Sequence, residues 1–130
     1  MDQTFAKWQS TALSLFRFIT GLLMLQFGIA KIFKFPAIPY FANLPPLITG
    51  AGWIELVLGA LLMIGLFTRI SAFILSGEMA FAYFMAHAPR SVYPIVNGGE
   101  LAVIFCFIFL YFAFAGGGPW SVDRAMLNQA

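Results

Sequence analysis

Four ionisable side chains stand inside otherwise apolar stretches of this sequence, one in each stretch: Arg17, Glu55, Glu78 and Glu100. A charge at the centre of a bilayer costs about 2.5–3.5 kcal/mol on insertion scales. Such residues therefore face the interior of a helix bundle, pair with one another, or line a path for protons or a ligand. This pattern predicts a line of polar groups inside an apolar protein, and we look for the function there.

Three further polar residues fall near the ends of the same stretches: Lys31, His87 and Asn97. If the chain crosses a membrane as four helices, they share one half of the bundle with the carboxylates of Glu55 and Glu100. Histidine titrates near neutral pH and can pass on protons. These five residues are our candidates for binding a ligand or handling protons, and no catalytic residue or metal-ligand set is predicted.

A structural alternative stays open for each of four candidates. Lys31 fits a lysine that extends its ammonium group to the membrane interface. Glu100 fits a carboxylate in the first turn of a helix, where the dipole favours it, and Asn97 fits the N-cap of that helix. His87 fits an interfacial histidine that hydrogen bonds a loop carbonyl.

Arg17 and Glu78 are predicted to form a buried charge pair, unless Glu78 stays protonated in the apolar interior. Nine residues separate Glu78 from His87, which places them on opposite faces of a regular helix. Both side chains could reach one cluster only if that helix were distorted. We therefore assign Glu78 to the pair with Arg17 and not to the ligand site.

The composition identifies an integral membrane protein. The 130 residues are 62% hydrophobic and only 9% charged, whereas soluble domains are about 45–50% apolar and about 25% charged. A net charge of +2 does not indicate binding to nucleic acid. Cys106, the single cysteine, can form neither an intrachain disulfide nor a thiolate metal cluster.

The apolar runs predict an all-α fold, a single domain over 1–130 built as a four-helix transmembrane bundle. The helices are expected at about 10–33, 47–67, 70–87 and 97–115. Four spans would put both termini on the same side, and the lysine and arginine distribution slightly favours the cytoplasm.

Glycines accompany the charged residues on two of the predicted helices. Gly21 and Gly28 share a face with Lys31, and Gly52 and Gly59 share a face with Glu55. Small residues let neighbouring helices approach closely inside a membrane. These faces are therefore predicted to point inward.

Several short motifs stand along the chain: Gly28-Ile29-Ala30-Lys31, Glu55 with Gly59, Gly65-Leu66-Phe67-Thr68-Arg69, His87, Asn97-Gly98-Gly99-Glu100, and Gly118-Pro119-Trp120-Ser121-Val122-Asp123. With them the chain resembles the DoxX family of small bacterial membrane proteins over nearly its whole length. The resemblance implies a four-helix bundle in the inner membrane with cytoplasmic termini. It also implies association with oxidoreductase systems.

Three functions follow as hypotheses. In the first, the chain is a membrane subunit or anchor of an oxidoreductase, with a quinone or small-molecule site and no covalently bound cofactor. Its partners would be the lipid bilayer, a redox protein and a second copy of the chain. In the second, it is a small transporter or channel for a proton, anion or metabolite. In the third, it is a structural membrane scaffold whose charges only fix how the helices pack.

Overall fold

The computed structural model of the protein describes residues 2–128 and is helical along most of that length. The helices are α1 (Asp2–Ala6), α2 (Gln9–Phe33), α3 (Pro46–Ile64), α4 (Thr68–Ala82), α5 (Pro94–Asn97), α6 (Glu100–Ala115) and α7 (Val122–Leu127). A π-helical segment, Tyr83–His87, continues α4 directly. The all-α prediction is confirmed, and the described residues contain no strand.

Three helical segments are long and apolar enough to cross a membrane. They are α2 with 25 residues, α3 with 19, and the 23-residue segment Thr68–Arg90 that begins with α4. The fourth apolar helix, α6, has 16 residues. It is therefore about 24 Å long, against a hydrocarbon core of roughly 30 Å. The protein is an integral membrane protein, and a fourth span remains a prediction.

The long helices form two antiparallel hairpins, α2 with α3 and α4 with α6. We call the end that holds the α3–α4 turn and α7 the terminal side, and the opposite end the loop side. The hairpins share one apolar core, made mainly of large side chains on their facing surfaces. Its buried members are Met24, Leu62, Ala72, Leu75, Met79, Phe105, Phe109 and Phe112.

Glycines set the close approach of α2 to α3. A Cβ atom on Gly59 would lie 2.7 Å from the backbone nitrogen of Leu25. A Cβ atom on Gly28 would clash with the backbone of Leu56 in the same way. Backbone atoms cannot move aside as a flexible side chain can, so the predicted inward glycine face is confirmed by the packing.

Gly28→Ala is expected to destabilise the protein by about 1–3 kcal/mol, because the added methyl group forces α2 away from α3. Gly77 is the matched control, since it also lies inside a long helix but has open space around its Cα atom. Gly77→Ala is expected to be neutral or stabilising by up to about 1 kcal/mol, through helix propensity. Denaturant unfolding in detergent micelles measures both changes, and equal effects would contradict this account of the packing.

Candidate functional site

An ion pair between Lys31 and Glu55 joins α2 to α3 in the loop-side half of the bundle. The Nζ atom of Lys31 donates to both carboxylate oxygens of Glu55, at 2.8 and 3.0 Å. Glu55 is only 1% exposed. Gly52 makes room for the lysine, since a Cβ atom there would lie 2.9 Å from the Cβ atom of Lys31. Lys31 is therefore turned inward and does not extend to the interface.

Glu78 belongs to the same cluster, which corrects its predicted pairing with Arg17. Its carboxyl group interacts electrostatically with both Glu55 and Lys31, and its Oε1 atom is buried without a hydrogen-bond partner. One ammonium group and two carboxyl groups thus lie together, and such a cluster costs least in an apolar interior when its charges balance.

Arg17 lies elsewhere, at the terminal side of the bundle. It is 3% exposed, and its guanidinium group donates to the carbonyl oxygens of Gly117 at 2.5 Å, Trp120 at 3.1 Å and Met63 at 3.3 Å. Asp123 supplies the nearest opposite charge. The predicted buried charge pair is thus replaced by hydrogen bonds from Arg17 to backbone carbonyl groups. Two of these groups belong to the residues between α6 and α7, which together with α7 we call the C-terminal segment.

The π-helical segment brings His87 towards the cluster around Glu55. In a regular helix the nine residues from Glu78 to His87 make about two and a half turns, so the two side chains would face opposite ways. The wider turn at Tyr83–His87 reduces that offset, and His87 lines the same cavity as Lys31 and Glu55. Helix distortions of this kind often occur at functional sites. The condition under which Glu78 and His87 could share a cluster is met in the structure.

Asn97 positions His87. The Nδ1 atom of His87 lies 3.1 Å from the backbone oxygen of Asn97, and this oxygen can only accept. The Asn97 side chain donates to the hydroxyl group of Tyr83 and accepts from the backbone nitrogen of Gly99. All its polar groups are thus engaged within the protein, so Asn97 is a positioning residue. Gly99, and not Asn97, is the N-cap of α6.

Tyr83 is a residue of the site that the sequence analysis missed. Its hydroxyl group accepts from Asn97, and its ring stacks against the imidazole of His87 with a centroid distance of 6.3 Å. The signal for it was present, since it precedes His87 by four residues and so shares its helix face. A tyrosine hydroxyl in an apolar helix usually has a hydrogen-bond partner, although its spacing does not say which residue that is.

A cavity of about 240 Å³ lies next to His87 and the ion pair on the loop side. Lys31, Glu55 and His87 supply its polar wall. The rest is mainly apolar and comes from α2, α4 and α6 and the residues next to them: Met24, Phe27, Met79, Ala82, Gly98, Leu101, Ala102 and Phe105. A few polar groups converging in an apolar hollow are typical of sites for small organic ligands.

Glu100 is not part of this cavity, which corrects its predicted place in the site. It is exposed at the first turn of α6, while the neighbouring Leu101 and Ala102 line the cavity. The helix dipole favours a carboxylate at that position, so Glu100 has a sufficient structural role there. Of the five candidates, Lys31, Glu55 and His87 line the cavity. Asn97 does not line it but forms a hydrogen bond with His87.

The polar wall of the cavity contains both hydrogen-bond donors and acceptors. An ammonium group has three N–H donors, and two of those of Lys31 are directed at Glu55, which leaves the third. Because Nδ1 of His87 must carry its hydrogen to donate to Asn97, Nε2 is an acceptor whenever the ring is neutral. Within residues 2–128, no three His, Cys, Asp or Glu side chains are grouped to hold a metal ion.

Long apolar helices around a buried ionic cluster define an integral membrane helix bundle with a small polar cavity. The chain belongs to the DoxX family, which it matches over residues 12–88. This region includes Lys31, Glu55, Glu78 and His87. An uncharacterized protein of Haemophilus influenzae is 41% identical over 129 residues, covering 95% of this chain and 96% of the relative. No solved structure matches the chain.

Proposed function

We propose that this protein is a membrane subunit of an oxidoreductase system, located in a bacterial inner membrane with both termini in the cytoplasm. In this proposal the loop-side cavity binds the ring of a quinone. The observation that carries it is the meeting of Lys31, Glu55 and His87 in a hollow whose other walls are apolar. The electrons would be exchanged with a partner protein, because the proposal assigns no redox centre to this chain.

The cavity residues fit a quinone ring in shape and in chemistry. The flat ring contacts apolar side chains such as Phe27 and Met79, which line the cavity. Lys31 donates its third N–H to a ring oxygen, and Nε2 of His87 accepts a hydrogen bond from a hydroxyl group of the reduced ring. A bound quinone supplies reversible two-electron chemistry, for which these residues provide orientation and a proton acceptor. Glu55 holds the ammonium group of Lys31 in place.

His87→Ala is expected to raise the Kd of purified protein for a benzohydroquinone, whose O–H donates to Nε2, by about tenfold or more, the effect of losing one hydrogen bond in a desolvated site. Glu100→Gln is the matched control, because Glu100 is close in sequence yet lies outside the cavity. Its Kd is expected to stay within about twofold of wild type. Equal affinities of wild type and His87→Ala would exclude the assigned site.

The link to an oxidoreductase is tested in membranes. Membranes from cells that lack this protein are expected to lose a quinone-reductase activity, which the wild-type chain and Glu100→Gln restore and His87→Ala does not. Unchanged activity without the protein would contradict its role as a subunit, even if the purified chain binds quinone.

A further inference from the structure

A second cavity lies against the first and has the same volume, about 240 Å³. Phe27, Leu101 and Phe105 line both cavities. The second one is otherwise bordered by α2 and the loop that follows it, through residues such as Leu23 and Ile38. We call it the apolar groove, because its wall contains no charged residue and a single glutamine.

Two phenylalanine rings stand where the polar cavity and the apolar groove adjoin. Phe27 of α2 and Phe105 of α6 meet edge to face, with ring centroids 6.4 Å apart. These helices belong to different hairpins, so this is a place where the two hairpins meet. Leu23 and Ile38 of the groove are 43% and 39% exposed. Leu23 lies on α2, and an exposed apolar side chain on a transmembrane helix faces lipid, so the groove is accessible from the bilayer.

The volume of the polar cavity limits what it can enclose. Pockets for drug-sized ligands measure about 300–1,000 Å³, so a cavity of about 240 Å³ holds a single small ring. A larger ligand must therefore extend beyond it. The wall shared with the apolar groove gives such a ligand a continuous apolar surface leading to the lipid.

We propose that the apolar groove holds the chain of an amphipathic ligand whose polar ring occupies the loop-side cavity. The ligand enters from the bilayer between α2 and α6, past Phe27 and Phe105. Its chemical class is a quinone with a prenyl chain, and the inference rests on the proposed function for the ring. The continuity of the two cavities argues for this occupant, since a chain attached to the bound ring leaves along the shared wall.

The test places a bulky side chain in the apolar groove and compares the Kd values of two probes. One probe is a benzoquinone that carries two isoprene units, and the other is the same ring without a chain. Leu23→Trp is expected to raise the Kd of the chain-bearing probe about tenfold and that of the bare ring less than about twofold. Leu22→Trp is the matched control: Leu22 is 41% exposed on the same helix but lines neither cavity.

The comparison is made between variants for each probe, because a chain moving from lipid into the groove gains little hydrophobic energy. If Leu23→Trp leaves both affinities unchanged, or weakens both probes equally, the groove does not hold the chain, while ring binding stands. If neither probe binds the wild-type protein, the proposed ring site fails and the groove proposal falls with it.

Discussion

Lys31→Met is expected to lower the free energy of unfolding by about 3–5 kcal/mol, whereas Lys31→Met combined with Glu55→Leu is expected to lower it far less. The single change leaves Glu55, which is 1% exposed, without its cation. Removing one partner of a buried pair is costly, but replacing both by apolar residues of similar size is often neutral. Unfolding of the four proteins of this double-mutant cycle in detergent measures the coupling between the two residues.

Lys34→Met is the control for this cycle. Lys34 caps the same end of α2, but it is exposed and donates to the backbone oxygen of Phe41. Its replacement is expected to change the unfolding free energy by about 1 kcal/mol or less. If Lys31→Met costs no more than Lys34→Met, or if the double change costs the sum of the single ones, the pair is not the buried unit described above.

There is a physical reason why the sequence could indicate that Lys31 and Glu55 lie close together. A lysine and a glutamate in different apolar stretches cannot both face lipid cheaply, and glycines on the same faces indicated that these faces meet. Gly28 and Gly52 do lie at that contact. Hydropathy likewise placed the long helices to within a few residues of α2, α3 and α6.

The partner of Arg17 could not be predicted from the sequence, because it depends on the position of α2 along the axis of α3. Gly21 lies opposite Met63, near the end of α3, so Arg17 is level with the turn that starts at Gly65. Glu78 follows Thr68, the first residue of α4, by ten residues, or about 15 Å along the axis. Apolar pattern alone does not fix that register, and so the prediction joined two residues that lie at different depths.

The site around His87 shows a second limit. Hydropathy and spacing assume a regular helix, and on that assumption Glu78 and His87 point apart. The π-helical turn at Tyr83–His87 is stabilised by long-range contacts, such as the bond from Asn97 to Tyr83. Contacts of this kind are not visible in local pattern. The sequence therefore indicated the residue types of the cavity more reliably than their positions.

Arg17→Met is expected to destabilise the protein by about 3 kcal/mol or more. Three carbonyl groups, those of Met63, Gly117 and Trp120, lose a charged donor. Each unsatisfied buried polar group costs about 1–3 kcal/mol. Arg124→Met is the matched control, since Arg124 is an exposed arginine at the same end of the molecule, and its replacement is expected to cost about 0.5 kcal/mol or less.

Arg17→Lys tests whether stability depends on the several hydrogen bonds of the guanidinium group or only on a positive charge at this position. A guanidinium group presents five N–H donors in a rigid plane, whereas an ammonium group presents three at one point. Lysine is therefore expected to recover less than half of the lost stability. The amide of Trp120, which donates to Ser14, should then exchange its hydrogen faster in both Arg17 variants than in wild type. Full recovery by lysine would mean that attraction to Asp123, and not the carbonyl bonds, holds the C-terminal segment against α2.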